Sequence, residues 1–172
     1  VNAGRSNSCG VELSLRGSAF DNHLSYTASY GFTHATFREY TDSVKRGREL
    51  VAVDYKGKSV PFVPNHTFAA SADWRFDIAH RWLNSITVGA NIAGQGRNYW
   101  DEANTRSQKA YAVLGAHVDF KIRRFDFNFW ATNITNTHYN TFAISSQATG
   151  TNHWFAQRAT PFRFGVDWKT SF

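Results

Sequence analysis

Along most of this chain apolar and polar side chains alternate. At the C-terminal end Phe162, Phe164, Val166, Trp168 and Phe172 occupy even positions, and Arg163, Gly165, Asp167, Lys169 and Ser171 lie between them. Successive side chains of a strand point to opposite faces, so this period of two predicts a β-strand with one apolar face. Residues 9–18 set Val11, Leu13 and Leu15 against Glu12, Ser14 and Arg16. Residues 23–39 set Leu24, Tyr26, Ala28, Tyr30 and Phe32 against Ser25, Thr27, Ser29 and Thr33. The same signal runs through residues 63–76, 85–95, 109–120 and 125–134, and a closing strand is expected from 154 to 172. That makes seven strands and an all-β chain.

The segments between the strands alternate in length. Residues 19–22, 77–84 and 121–124 are short, whereas 40–62, 96–108 and 135–153 are long. Outer-membrane β-barrels have short periplasmic turns and long external loops. On that scale the first strand descends and the last also ends in the periplasm. Alternation alone does not distinguish such a barrel from a soluble one, because only inside and outside are exchanged. The polar track is informative here. It is mostly Ser, Thr, Asn and Gly rather than Lys and Glu, which suits a crowded lumen better than a solvated face. Several segments also reach the ~9–11 residues that cross a bilayer.

Composition agrees. Of the 172 residues 16% are aromatic, and Trp74, Phe76, Phe125, Trp168 and Phe172 collect at the turn ends, where an aromatic girdle would lie. Mean hydropathy is −0.46, as expected when only alternate residues face lipid, and no apolar run approaches a transmembrane helix. The single cysteine, Cys9, excludes a disulfide framework or a thiolate metal cage. The chain opens at Val1 without a signal peptide, as a mature or truncated protein would. An odd strand count implies strands upstream, because single-chain bacterial barrels have an even number. Residues 1–8 are too short and polar to supply an eighth. The expectation is a C-terminal fragment of a larger transmembrane antiparallel barrel. The alternatives are a small self-contained barrel, acting as a passive pore or structural protein, and a soluble β-barrel binder.

Three stretches resemble TonB-dependent outer-membrane receptors, particularly those of Bacteroidetes. They are the loop-to-strand entry from Asp54 to Phe68, the run Ala131-Thr132-Asn133-Ile134-Thr135-Asn136-Thr137-His138-Tyr139, and the terminal segment from Phe155 to Phe172. The resemblance implies that residues 1–172 are the C-terminal part of a 22-stranded barrel in the bacterial outer membrane. It implies uptake of a scarce nutrient such as a ferric siderophore, with cobalamin, haem or glycan as alternatives. The implied partners are membrane lipid and lipopolysaccharide, the remaining barrel and its plug, the TonB complex and the barrel-assembly machinery. Phe164, Gly165, Val166, Trp168 and Phe172 would form the insertion signal; on that reading, deleting Phe172 should reduce the amount of receptor in the outer membrane, and unchanged assembly would count against it.

Candidate ligand contacts lie on the long loops. Arg46 and Arg48 would attract an anion, a role that fits the net charge of +6. Arg97, Tyr99 and Trp100 combine a cation with aromatic faces suited to a catecholate or a sugar. His153 and Trp154 end the last loop, and His138 with His153 could ligate haem iron, although their spacing fits no metal motif. Scattered basic residues argue against nucleic-acid binding. No nucleophile elbow, phosphate loop or metal-spaced cluster is present, so neither an enzyme nor a resident cofactor or metal is expected.

Overall fold

The computed structural model describes residues 4–46, 49–146 and 153–171. Its thirteen strands are β1 (Arg5–Ala19), β2 (Leu24–Glu39), β3 (Thr41–Arg46), β4 (Glu49–Asp54), β5 (His66–Asp77), β6 (Ser85–Gln95), β7 (Asn98–Tyr99), β8 (Ser107–Gln108), β9 (Tyr111–Ile122), β10 (Phe125–Thr132), β11 (Asn140–Ser146), β12 (His153–Arg158) and β13 (Arg163–Thr170). Seven of these form one antiparallel meander in the order β1-β2-β5-β6-β9-β10-β13. They correspond to the seven strands the alternation predicts. The other six make two-stranded ladders within the long connections: β3–β4, β7–β8 and β11–β12.

Register turns seven alternating segments into two continuous faces. Leu15 pairs with Ala28 and Ala28 with Ala70; Ala70 pairs with Ile92 and Ile92 with Leu114. A one-residue slip anywhere would move a whole apolar set to the polar side. The apolar face is bare: Leu13 is 62% exposed, Phe164 76% and Trp168 64%. The accessible surface is 12490 Å², against about 8,500 Å² for a folded soluble monomer of this mass. A curtain this apolar and this open needs lipid on that side. Among the described residues, the buried apolar side chains are Ala35, Tyr55, Trp100 and Ala143. Most of that small core lies in the outer connections, not in the wall.

Turn chemistry holds the short ends. Phe20, Asp21 and Asn22 all have positive φ, and His23 N–H closes on Phe20 O at 2.9 Å. Arg123, at φ 54°, starts a two-residue hairpin, and its N–H donates to Asn84 Oδ1 at 2.7 Å. This side chain therefore ties one short turn to the next.

The polar face is built around glycines. His117 Nε2 lies 3.2 Å from Asp73 Oδ1 and 3.3 Å from Asp119 Oδ2. Gly89 pairs with both Asp73 and His117, and a Cβ there would strike both side chains. Gly165 plays the same part for Trp130, its partner across β10 and β13. Its place in the expected insertion signal thus has a packing cause. Phe164, Val166 and Trp168 lie on the apolar face, and Phe172 lies outside the described residues.

Several expectations need correction. The closing strand does not run unbroken from residue 154. β12 pairs with β11 outside the wall, and β13 begins afresh at Arg163. Pro161 separates them, and it has no N–H to give a ladder. β10 stops at Thr132 because Asn133 takes a positive φ of 51°. The long connections also carry three hairpin ladders that the alternation did not single out. The alternative of a self-contained barrel is disfavoured, because among the described residues β1 and β13 remain open edges.

Candidate functional site

Three long connections crowd the end of the wall opposite the short turns: residues 40–65, 96–110 and 133–162. Asp101 shapes the second of them. Its carboxylate accepts Thr105 N–H at 3.1 Å, Thr105 Oγ1 at 2.6 Å and Arg106 N–H at 2.9 Å. Asn104, at φ 57°, then faces the first connection. Ser59 N–H donates to Asn104 Oδ1 at 2.8 Å, and Asn104 Nδ2 donates to Ser59 O at 2.9 Å. On the other side Asn140 N–H donates to Gln108 Oε1 at 2.9 Å, and Tyr111 stacks on Tyr139 with centroids 3.8 Å apart. The second connection is therefore clamped on both flanks.

The expected contact residues divide between surface and scaffold. Arg97 is exposed and Tyr99 half-buried. Trp100 is only 8% exposed and packs on Phe62 at 5.5 Å, so it belongs to the scaffold and not to the open surface. The guanidinium of Arg106 lies over the Trp154 ring, 6.0 Å from its centroid. That cation–aromatic pair joins the second and third connections, and sequence reasoning found only its aromatic half. His153 is exposed at the tip of the β11–β12 hairpin. His138 precedes the base of that hairpin, where Tyr139 O accepts Ala159 N–H. The six residues of ladder between base and tip correspond to about 20 Å, so the two histidines do not share one iron. Arg46 contributes backbone to β3, and Arg48 lies outside the described residues.

Asn104 and Gln108 escaped the sequence reading, and Phe62 entered it only within the likeness from Asp54 to Phe68. None belongs to an alternating segment, and their partners are distant in the chain. The positive φ of Asn104 has a faint signal in the Asp101-Glu102-Ala103-Asn104 turn; Phe62 has none.

Electrostatics at this end are mixed. Exposed Lys56, Lys58, Arg97, Arg106 and Lys109 stand among Asp54 and Glu102. Burial, and then the carboxylates of Asp42 and Glu102, hold the Tyr40 phenol above its ordinary pKa. It stays protonated, a hydrogen-bond donor, across the neutral range. Asn98 is 6% exposed, and its Oδ1 has no partner among the described residues. A buried acceptor of that kind is costly unless water or a ligand meets it. No group of three metal-ligating side chains occurs among the described residues.

An antiparallel wall, lipid-facing on one side and polar on the other, with short turns at one end and interlocked loops at the other, defines a segment of an outer-membrane β-barrel. The profile of the family described as TonB dependent receptor-like, beta-barrel matches residues 1–136, and the chain belongs to that family. The family's barrels lie in the bacterial outer membrane. The chain is 26% identical over 147 residues to the probable TonB-dependent siderophore receptor PiuA of Acinetobacter baumannii, covering 85% of this chain and 19% of that protein. It is 26% identical over 176 residues to the ferrioxamine receptor of Yersinia enterocolitica, covering 97% and 22% respectively. Its fold superposes on the ferric yersiniabactin uptake receptor FyuA from Yersinia pestis with a TM-score of 0.79 at 21% identity, covering 99% of this chain and 24% of that one. The chain thus spans about a fifth of the curated relatives it matches. These matches do not carry the Bacteroidetes assignment.

Proposed function

We propose that this chain is the C-terminal barrel wall of a receptor that takes up an iron–siderophore complex. The observation that carries the reading is the joint external site, in which Arg97, Tyr99, Arg106 and Trp154 offer cations and aromatic faces on loops fixed to one another. That chemistry suits an anionic, chelate-ringed ligand. Two relatives named as siderophore and ferrioxamine receptors support it. The open edges of β1 and β13 fit pairing with the remaining strands of a larger barrel, of 22 strands in this reading. The plug, the TonB complex and the barrel-assembly machinery are the partners such a receptor needs, with lipid and lipopolysaccharide around its wall.

The test is growth of a deletion strain under iron limitation on a panel of ferric siderophores, followed by binding to the purified full-length receptor. For the siderophore that depends on this receptor, Arg97→Ala and Arg106→Ala should each weaken binding roughly 10–100-fold, the range of a lost charge-assisted hydrogen bond. Tryptophan quenching reads the dissociation constant. Unaltered affinity in both variants would remove these residues from the site, and unaltered growth on every siderophore tested would remove the iron-uptake reading.

A further inference from the structure

Phe62 touches all three outer connections. It belongs to the first of them, and its N–H donates to Tyr99 O in the second at 2.9 Å. Its ring packs on Trp100 of the second connection at 5.5 Å, tilted by 59°. The same ring stacks on Phe142 of β11, in the third, at 5.6 Å and 16°. The neighbouring clamps are pairwise. Asn104 with Ser59 joins the first connection to the second, and Gln108 with Asn140 joins the second to the third.

The backbone of Phe62 is also strained. Its φ is 63°, in the left-handed region, where a bulky side chain is an outlier. A residue keeps such a conformation only while its surroundings over-determine it. Here the restraints are the two ring contacts and the bond to Tyr99. Loss of the ring would remove two of these three restraints.

We infer that Phe62 is a latch that locks the three outer connections into one body. A displacement of Tyr99, or of the β11–β12 hairpin, releases the ring and is passed to the other two connections. Phe62 is a positioning residue and need not touch the ligand. The inference goes beyond the proposed function and does not depend on which ligand is bound.

Hydrogen–deuterium exchange on the full-length receptor in detergent micelles tests it without any ligand. In Phe62→Ala, peptides containing the amides of Ser59, Trp100 and Asn140 should gain exchange together, by roughly tenfold or more, as one cooperative opening does. Peptides from β5, β6 and β9 should keep wild-type protection. Phe62→Tyr, which keeps the ring, should restore all three. Asn104→Ala removes the Ser59 clamp and the bond of Asn104 Nδ2 to Asp101 O inside the second connection, and should leave the Asn140 amide protected. Faster exchange confined to residues 60–64 would overturn the latch, because the contacts would then be local. Faster exchange spread evenly into the strands would also overturn it, by making Phe62 a residue of general stability. Joint opening in Asn104→Ala as large as in Phe62→Ala would move the latch elsewhere.

Discussion

Replacing Ala90 by arginine should destabilise the barrel by about 2–4 kcal/mol, the cost of a basic side chain at the bilayer midplane. Ala90 lies on the apolar face of β6, in a row with Ala72, Ala116 and Ala131 across β5, β9 and β10. It is exposed, so in water an arginine there would cost almost nothing. Its neighbour Asn91 is also exposed but points to the polar face. Asn91→Arg should therefore cost well under about 1 kcal/mol beyond local crowding. Urea unfolding of the full-length receptor in lipid vesicles, read by heat-modifiable mobility, measures both. Equal costs at the two positions would refute the lipid-facing assignment, and a larger cost at Asn91 would invert it.

The second large effect is expected at Asn133. This residue is 3% exposed and sits at φ 51°. Its Oδ1 accepts Thr137 N–H at 2.8 Å, and its Nδ2 donates to Thr137 O and Thr160 O, both at 3.1 Å. It therefore closes the turn after β10 and holds the segment that leads into β13. Nearby, Asn136 N–H donates to Asn133 O, and Asn136 Oδ1 accepts Phe162 N–H at 3.2 Å. Asn133→Ala loses three side-chain bonds of a buried amide, leaves the half-buried Thr137 N–H without its partner and puts a Cβ residue without a local hydrogen bond at positive φ. The combined cost is about 3–5 kcal/mol. Asn133→Gly recovers only the backbone part and should fall between alanine and wild type. The same vesicle unfolding assay ranks the three. Alanine within about 0.5 kcal/mol of wild type would show that the buried amide is not a structural tie.

Asn133 also shows what the sequence disclosed and what it did not. The run from Ala131 to Tyr139 stood out as a likeness to a family, without a physical reason. Three-dimensional structure supplies one: asparagine tolerates the left-handed conformation and offers both a donor and an acceptor. The partner at Thr160 lies 27 residues away, so local pattern could not reveal it. The closing strand failed for a related reason. The β-prone run Trp154-Phe155 reads as the start of a strand, and only pairing shows that β12 belongs to β11.

The sequence by itself determined the wall. Seven strands, their two faces and the long and short ends follow from a period of two and from the turns that interrupt it, and the Ser, Thr, Asn and Gly of the polar track assign the apolar face to lipid. These signals are local, and a strand exposes them whatever its neighbours do. Tertiary structure alone decided the outer end. Ser59 and Asn104 meet across 45 residues, Gln108 and Asn140 across 32, and Phe62 reaches Tyr99 and Phe142 from a backbone conformation that no propensity favours. Such contacts depend on which loops the register of the wall brings side by side, and that is fixed only once the strands have paired.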